Sequence, residues 1–387
     1  MRPGQPDYLL LVSAAMLVLA GLLTVYSASF AVGYVEFGDT NYFVMRQAFY
    51  ALIGVAALAY CMRLDYRQLR HVAAPMMVLA LLGLAAVLVP GIGVERNGAR
   101  RWLELGPFTV QPSEFAKLAV IIYISAWLSA RRENLNQLSL GLVPFVLMVS
   151  VVGGLVIVEP DMGTAVIIVL TTSTLFFVAG APLTHLMLLI ASGGAVTYVM
   201  VLAQEYRLDR ISSFVSPESD PQGTGFHILQ LLIALGSGGA TGLGWGVSRQ
   251  KFFYVPGAHT DGVFAIIGEE VGFVGLMGVL ALFAFFLYRG LKATVSSRDQ
   301  FGTLLGVGIV SWIGYQTLIN IGGITRSIPL TGVPLPFLSY GGSALIAVMA
   351  AAGVLLSISR YGREGAAAAA PRPKRYARRA AARRSYT

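Results

Sequence analysis

The sequence has little charge, almost no cysteine and few histidines, and each scarcity closes off a class of protein. Its one cysteine, Cys61, cannot form an intrachain disulfide, so a disulfide-stapled scaffold is excluded and the thiol reads as an inert core group. Four histidines far apart in the chain, with no cysteine cluster, leave no protein metal site of the usual spacing. Charged residues make up 12% of the chain against 56% apolar ones, and the mean hydropathy is +0.70. That balance excludes a soluble globular domain of 387 residues.

What is present is a series of long apolar runs. Crossing about 30 Å of hydrocarbon takes about 20 apolar helical residues, and ten runs qualify: 8 to 29, 43 to 62, 72 to 90, 112 to 130, 139 to 158, 162 to 180, 184 to 203, 262 to 288, 301 to 324 and 337 to 358. The fold expected is an all-α polytopic membrane protein of about ten transmembrane helices over residues 1–360. A large extracytoplasmic loop, 204–261, would separate helices 7 and 8. The first run, with Ser27-Ala-Ser29 behind it, is too long for a signal peptide core and is read as a retained helix. Basic loops favour the cytoplasm, and Arg63, Arg67, Arg70, Arg131, Arg132, Arg289, Lys292 and Arg298 place both termini inside. The tail, 361–387, is basic, alanine-rich and read as disordered and membrane-seeking, without a catalytic role.

Several charges violate this economy. Burying an ionisable group among apolar helices is costly and marks a functional site by default. The stretch from Ser248 to Glu270 enters the eighth run through Pro256, Gly257, His259 and Asp261 and carries Glu269 and Glu270 inside it. Asp261 is expected at the mouth of a membrane-embedded cavity. Glu269, eight residues on, must be protonated, paired or water-lined, with Lys117 as one partner. His259 is either polar surface or a second acid/base group.

The loop before the fourth run holds Arg96, Arg100, Arg101 and Trp102 on the outer side, for contact with lipid headgroups or with phosphate, which guanidinium binds in a fork. Pro112 suits a first helical turn, and Glu114 and Lys117 then share a face as a pair. The turn Glu159-Pro-Asp-Met-Gly-Thr164 is either a plain tight turn or a part of the same outer cavity. Arg46 reads as a snorkelling side chain, with substrate binding as the alternative, and the connection from Val32 to Tyr42 as an ordinary loop. Six glycines from Gly236 to Gly246 would suit a phosphate or sugar nest, and Ile228 to Leu235 a short interfacial helix. Three prolines between Pro329 and Pro336 forbid continuous helix, so Arg326 and the turn Ser339-Tyr340-Gly-Gly-Ser343 would form the far wall of the pocket.

Taken together, Arg101-Trp-Leu, Gln111-Pro-Ser-Glu, Glu159-Pro-Asp-Met-Gly-Thr, Gly236-Ser-Gly-Gly, Ser248-Arg-Gln-Lys, His259-Thr-Asp, Ile267-Gly-Glu-Glu and Ser339-Tyr-Gly-Gly-Ser resemble the SEDS family of FtsW, RodA and SpoVE proteins. The wording at Ser248 and Ile267 is nearer the division branch. The resemblance implies a peptidoglycan glycosyltransferase of the bacterial plasma membrane and division septum. Such an enzyme polymerises lipid II with inversion, releases undecaprenyl pyrophosphate, and works with a class B penicillin-binding transpeptidase and other divisome proteins; no nucleic acid is involved. It also implies Asp261 as the catalytic residue. Substrate-binding positions would be Arg101, Trp102, Glu114, Lys117, His259, Glu269, Ser339, Tyr340 and Ser343, with Mg²⁺ recruited, if at all, by the substrate's pyrophosphate. The chain departs from the family pattern at Gly257, Gly262, His227-Ile and Ala344, all flanking the site. A lipid II flippase, or a non-catalytic divisome scaffold, is the alternative.

Overall fold

In a computed structural model, residues 4–96, 99–106, 108–202, 208, 212–223 and 225–362 are described. The tail expected over 361–387 lies outside them beyond Gly362, as do Arg207, Asp209 and Arg210 of the long loop. Helices form over every apolar run: α1 Tyr8–Phe37, α2 Tyr42–Arg63, α3 Leu69–Leu88, α4 Pro112–Ala130, α5 Val143–Val158, α6 Met162–Val178, α7 Leu183–Leu202, α9 Val263–Val295, α10 Gln300–Ile324 and α11 Gly342–Tyr361, with the short α8 at Phe226–Ser237 in the long loop. Among the described residues eight helices are long and apolar enough to cross a membrane. Of the helices over the other two runs, α6 has 17 residues, Met162–Val178, and α7 has 20, Leu183–Leu202.

Two corrections concern the connections between helices. The connection expected from Val32 to Tyr42 is helical as far as Phe37, because α1 is closed by Gly38 in the left-handed conformation, whose N–H reaches back to the Gly33 and Tyr34 carbonyls. The loop after α3 is not irregular. It folds into a three-stranded antiparallel sheet, β1 Gly93–Arg96, β2 Ala99–Leu105 and β3 Phe108–Val110, with Val94 opposite Trp102 and Leu103 opposite Val110. Consecutive hairpins satisfy the backbone of a segment that cannot be helical at its glycines.

The interior is built on α4, α10 and α11, the most buried of the spanning helices. Small residues allow close approach there. A Cβ on Gly54 of α2 would strike the Met349 side chain, and one on Gly353 of α11 would come within 2.5 Å of the Leu58 carbonyl. Helix α9 is broken at Gly272, whose φ of 67° and ψ of −170° interrupt it. Its freed groups pair with the glycine-rich run: Leu243 N–H donates to the Glu269 carbonyl (2.9 Å), Gly244 to Glu270 (3.0 Å), Phe273 to Gly239 (2.9 Å) and Val274 to Ala240 (3.1 Å). Broken backbone at membrane depth is tolerated only when it is satisfied in this way. A Cβ on Gly238, Gly242 or Gly272 would collide with the facing backbone. The run expected to be a sugar or phosphate nest is therefore a backbone clasp on α9.

Candidate active site

The C-terminal end of α1, the N-terminal ends of α2, α4, α6 and α9, the sheet and the proline-rich segment before α11 enclose an open cavity of about 770 Å³. A volume of that order suits a small-molecule or cofactor site. Asp261 lies on its wall two residues before α9 begins. Its Oδ1 accepts from Thr260 Oγ1 at 2.9 Å, and its main-chain carbonyl accepts from Asn320 Nδ2, also at 2.9 Å. Asn320 donates its other amide hydrogen to the Val333 carbonyl at 2.8 Å, tying the aspartate to the opposite wall.

Arg101 and Trp102 reach the cavity from β2. The Arg101 guanidinium is held in place by the turn after α5, donating to the Glu159 carbonyl at 3.0 Å and to the Pro160 carbonyl. Arg100 points elsewhere and pairs with Glu95 at 3.1 Å. Asp161 also lines the cavity and caps α6, accepting from Thr164 N–H at 3.0 Å and Thr164 Oγ1 at 2.9 Å. Glu159 between them is buried, and neither carboxylate oxygen has a hydrogen-bond partner. Burial, with the Asp161 charge adding and Arg101 opposing, pushes its carboxyl up to about 8.

Glu114 lines the cavity from the first turn of α4. Its Oε1 accepts from Lys117 Nζ at 2.9 Å, and its Oε2 is buried without a partner. Lys117 stands behind it, off the cavity surface, donating to Gln316 Oε1 at 2.8 Å and lying 5.2 Å from the Trp312 ring. Gln316 in turn accepts from Trp312 Nε1 and donates to the Pro334 carbonyl at 2.9 Å. Tyr340 and Ser343 complete the far wall, Ser343 Oγ accepting from Gln111 N–H at 2.9 Å.

Five expected site residues sit differently. Lys117 is a buried partner and not a lining residue, and it pairs with Glu114, not with Glu269. Glu269 is turned into the protein, accepting from Ser248 Oγ at 2.5 Å and Arg249 N–H at 2.9 Å, while neighbouring Glu270 pairs with Lys251 at 3.0 Å. These carboxylates fix the loop before Asp261 to α9. His259 packs against Phe43 and Tyr340 with ring centroids 4.6 and 5.6 Å away. Burial, only partly opposed by Asp261, lowers it to about 4, so it is neutral near pH 7. Ser339 braces its turn, its Oγ accepting from Leu335 N–H at 2.8 Å and its carbonyl from Gln47 at 3.1 Å. Arg326 is likewise not on the pocket wall; it grips the Phe214 and Val215 carbonyls at 2.9 Å and Glu218 at 3.2 Å.

This arrangement has relatives. The family described as cell cycle protein, comprising FtsW, RodA and SpoVE, matches residues 7–364. The chain belongs to the FtsW/RodA/SpoVE family. It is 43% identical to stage V sporulation protein E of Bacillus subtilis over 94% of this chain and 99% of that one. It is 38% identical to the probable peptidoglycan glycosyltransferase FtsW of Trichlorobacter lovleyi, covering 92% and 94%. Among solved structures, a chain of a peptidoglycan synthase complex that coordinates polymerization and crosslinking superposes with a TM-score of 0.77 at 30% identity, over 93% and 99%. The rod shape determining protein RodA of Thermus thermophilus does so with 0.68 at 28%, over 92% and 98%.

Sequence reasoning missed Gln47, Gln316 and Asn320, which hold the walls together, and Tyr42, Tyr50 and Thr164, which line them. The signal for the first three was available: an uncharged amide inside an apolar run has to find a partner there.

Proposed function

We propose that the chain is a peptidoglycan glycosyltransferase that polymerises lipid II on the outer face of the bacterial plasma membrane, in cell division. The observation that carries the reading is the convergence on one cavity at one end of the helices of Asp261, Arg101, Trp102, Glu114, Tyr340 and Ser343, drawn from four separate parts of the chain. Asp261 acts as general base: one carboxylate oxygen is held by Thr260 and the other is left to take the proton of the acceptor sugar hydroxyl. The deprotonated hydroxyl oxygen of the acceptor sugar attacks the anomeric carbon of the donor with inversion, the bond from that carbon to the pyrophosphate oxygen breaks, and undecaprenyl pyrophosphate leaves. Arg101, held by two carbonyls, stabilises the charge developing on the departing pyrophosphate. Lys117 pairs with Glu114 at 2.9 Å and acts through it.

Both termini are cytoplasmic in this reading, the partner is a class B penicillin-binding transpeptidase within the divisome, and the site of action is the septum. In this reading any Mg²⁺ is recruited by the substrate's pyrophosphate. The break in α9 is the feature that favours the flippase reading, because transporters use discontinuous helices. Here the clasp of Gly239 to Gly244 fills the break with backbone hydrogen bonds, which suits a fixed joint better than a moving gate.

The test is polymerisation of lipid II by the purified protein with its transpeptidase partner. Wild type is expected to make glycan strands and Asp261→Asn none, with folding and partner binding retained. An active Asp261→Asn enzyme would falsify the assignment of the base.

A further inference from the structure

Each glycosidic bond formed in the proposed reaction joins two substrates that both carry a polyprenyl pyrophosphate, and only one of the two departs. The site therefore has two anions to hold. Arg101 accounts for one. The second guanidinium on the cavity is Arg46, in the first turns of α2, which the sequence left as either a snorkelling side chain or a substrate-binding one. Its position argues for the second reading. The lipid-facing stripe of α2 runs through Met45, Phe49 and Leu52, which are 66%, 44% and 69% exposed. Tyr42, Arg46 and Tyr50, spaced four apart, form a different face and line the cavity together. Arg46 is braced within that face: its guanidinium lies 5.2 Å from the Tyr42 ring and donates to the Tyr42 hydroxyl. Arg46, one turn inside α2, and Asp261, two residues before α9, line the same cavity.

We propose that Arg46, with Tyr42 behind it, forms a second pyrophosphate subsite, which holds the lipid-linked acceptor whose own pyrophosphate is not released. A planar fork matches phosphate oxygens where an ammonium gives only a point charge. The inference rests on the glycosyltransferase reading, so its test is built to fail separately from it.

Binding is measured first, in an Asp261→Asn background that cannot turn over, by titrating purified protein with a short-chain prenyl pyrophosphate disaccharide and with the same disaccharide lacking the pyrophosphate. Arg46→Ala is expected to weaken the first probe at least about tenfold and to leave the second unchanged, with Arg46→Lys in between. In the active protein, Arg46→Ala is expected to raise the KM for lipid II by a similar factor while most of kcat survives at saturation. Equal affinity of Arg46→Ala and its parent for the pyrophosphate probe would overturn the subsite. So would a loss of kcat at unchanged KM. If Arg46→Ala does not fold, Arg46→Lys carries the same comparison. Failure of the parent protein to bind either probe would instead remove the glycosyltransferase reading.

Discussion

Replacing Lys117 with methionine is expected to cost stability because of what it leaves behind. Lys117 Nζ and Glu114 Oε1 lie 2.9 Å apart, and their side chains are 1% and 3% exposed. Removing the cation strands a carboxylate whose other oxygen already has no partner, and breaking a buried pair from one side typically costs about 3–5 kcal/mol. For a chain of 387 residues, the usual unfolding entropy per residue sums to roughly 0.8 kcal/mol/K, so the melting temperature should fall by about 4–6 °C. Removing both charges in Glu114→Gln/Lys117→Met should restore most of that loss, because an apolar or neutral replacement of a whole buried pair is often close to neutral. The assay is thermal unfolding of wild type, both single variants and the double variant in the same detergent, read as a double-mutant cycle. A Lys117→Met protein that melts with the wild type, or a double variant that loses the sum of the two singles, would refute the reasoning. Polymerisation separates the two roles of the pair. The double variant should be stable yet inactive, since Glu114 lines the cavity.

Two further outcomes are expected. Asn320→Leu removes the donors to the Asp261 and Val333 carbonyls, each loss costing about 1–3 kcal/mol if the carbonyl stays buried and unpaired. Strand synthesis should drop roughly 10- to 100-fold in kcat, at about 1.4 kcal/mol per factor of ten, with the KM for lipid II little changed; an unchanged kcat in a folded protein counts against it. Glu159 supplies a pH signature. Its folded value of about 8 lies above the ordinary 4.5, so the folded state keeps a proton that the unfolded chain has already lost. Its contribution to stability is therefore present below about 4.5 and is lost as pH rises to about 8. Glu159→Gln should match wild type in melting temperature near pH 4.5 and exceed it by a growing margin up to pH 8, and parallel melting curves across that range would show that Glu159 is not held neutral.

Much of this architecture was open to reading in the sequence, and the parts that were not share a cause. Long apolar runs fix helices because hydrocarbon tolerates little else, so α1 to α11 appear where 20-residue runs or a short amphipathic stretch require them. Asp261, Arg101 and Glu114 were legible for the same reason: a charge in an apolar chain has few places to go. What the sequence does not reveal is which charges face the cavity and which brace it, because the cost of burial is the same in both roles. Glu269 and Glu270 sit beside Asp261 in the chain yet turn toward Ser248 and Lys251, whereas Arg46, far from it in sequence, shares its cavity. Glycine shows the same ambiguity. The run from Gly236 to Gly246 has the composition of a phosphate nest, and only the break at Gly272 shows that its freedom is used to receive another backbone. Asp261 is thus held from two sides, by the clasped and ion-paired start of α9 and by Asn320 across the cavity. The base proposed here, which has to wait for a long, flexible lipid-linked sugar, gains from that rigidity, since less disorder then has to be overcome at the site.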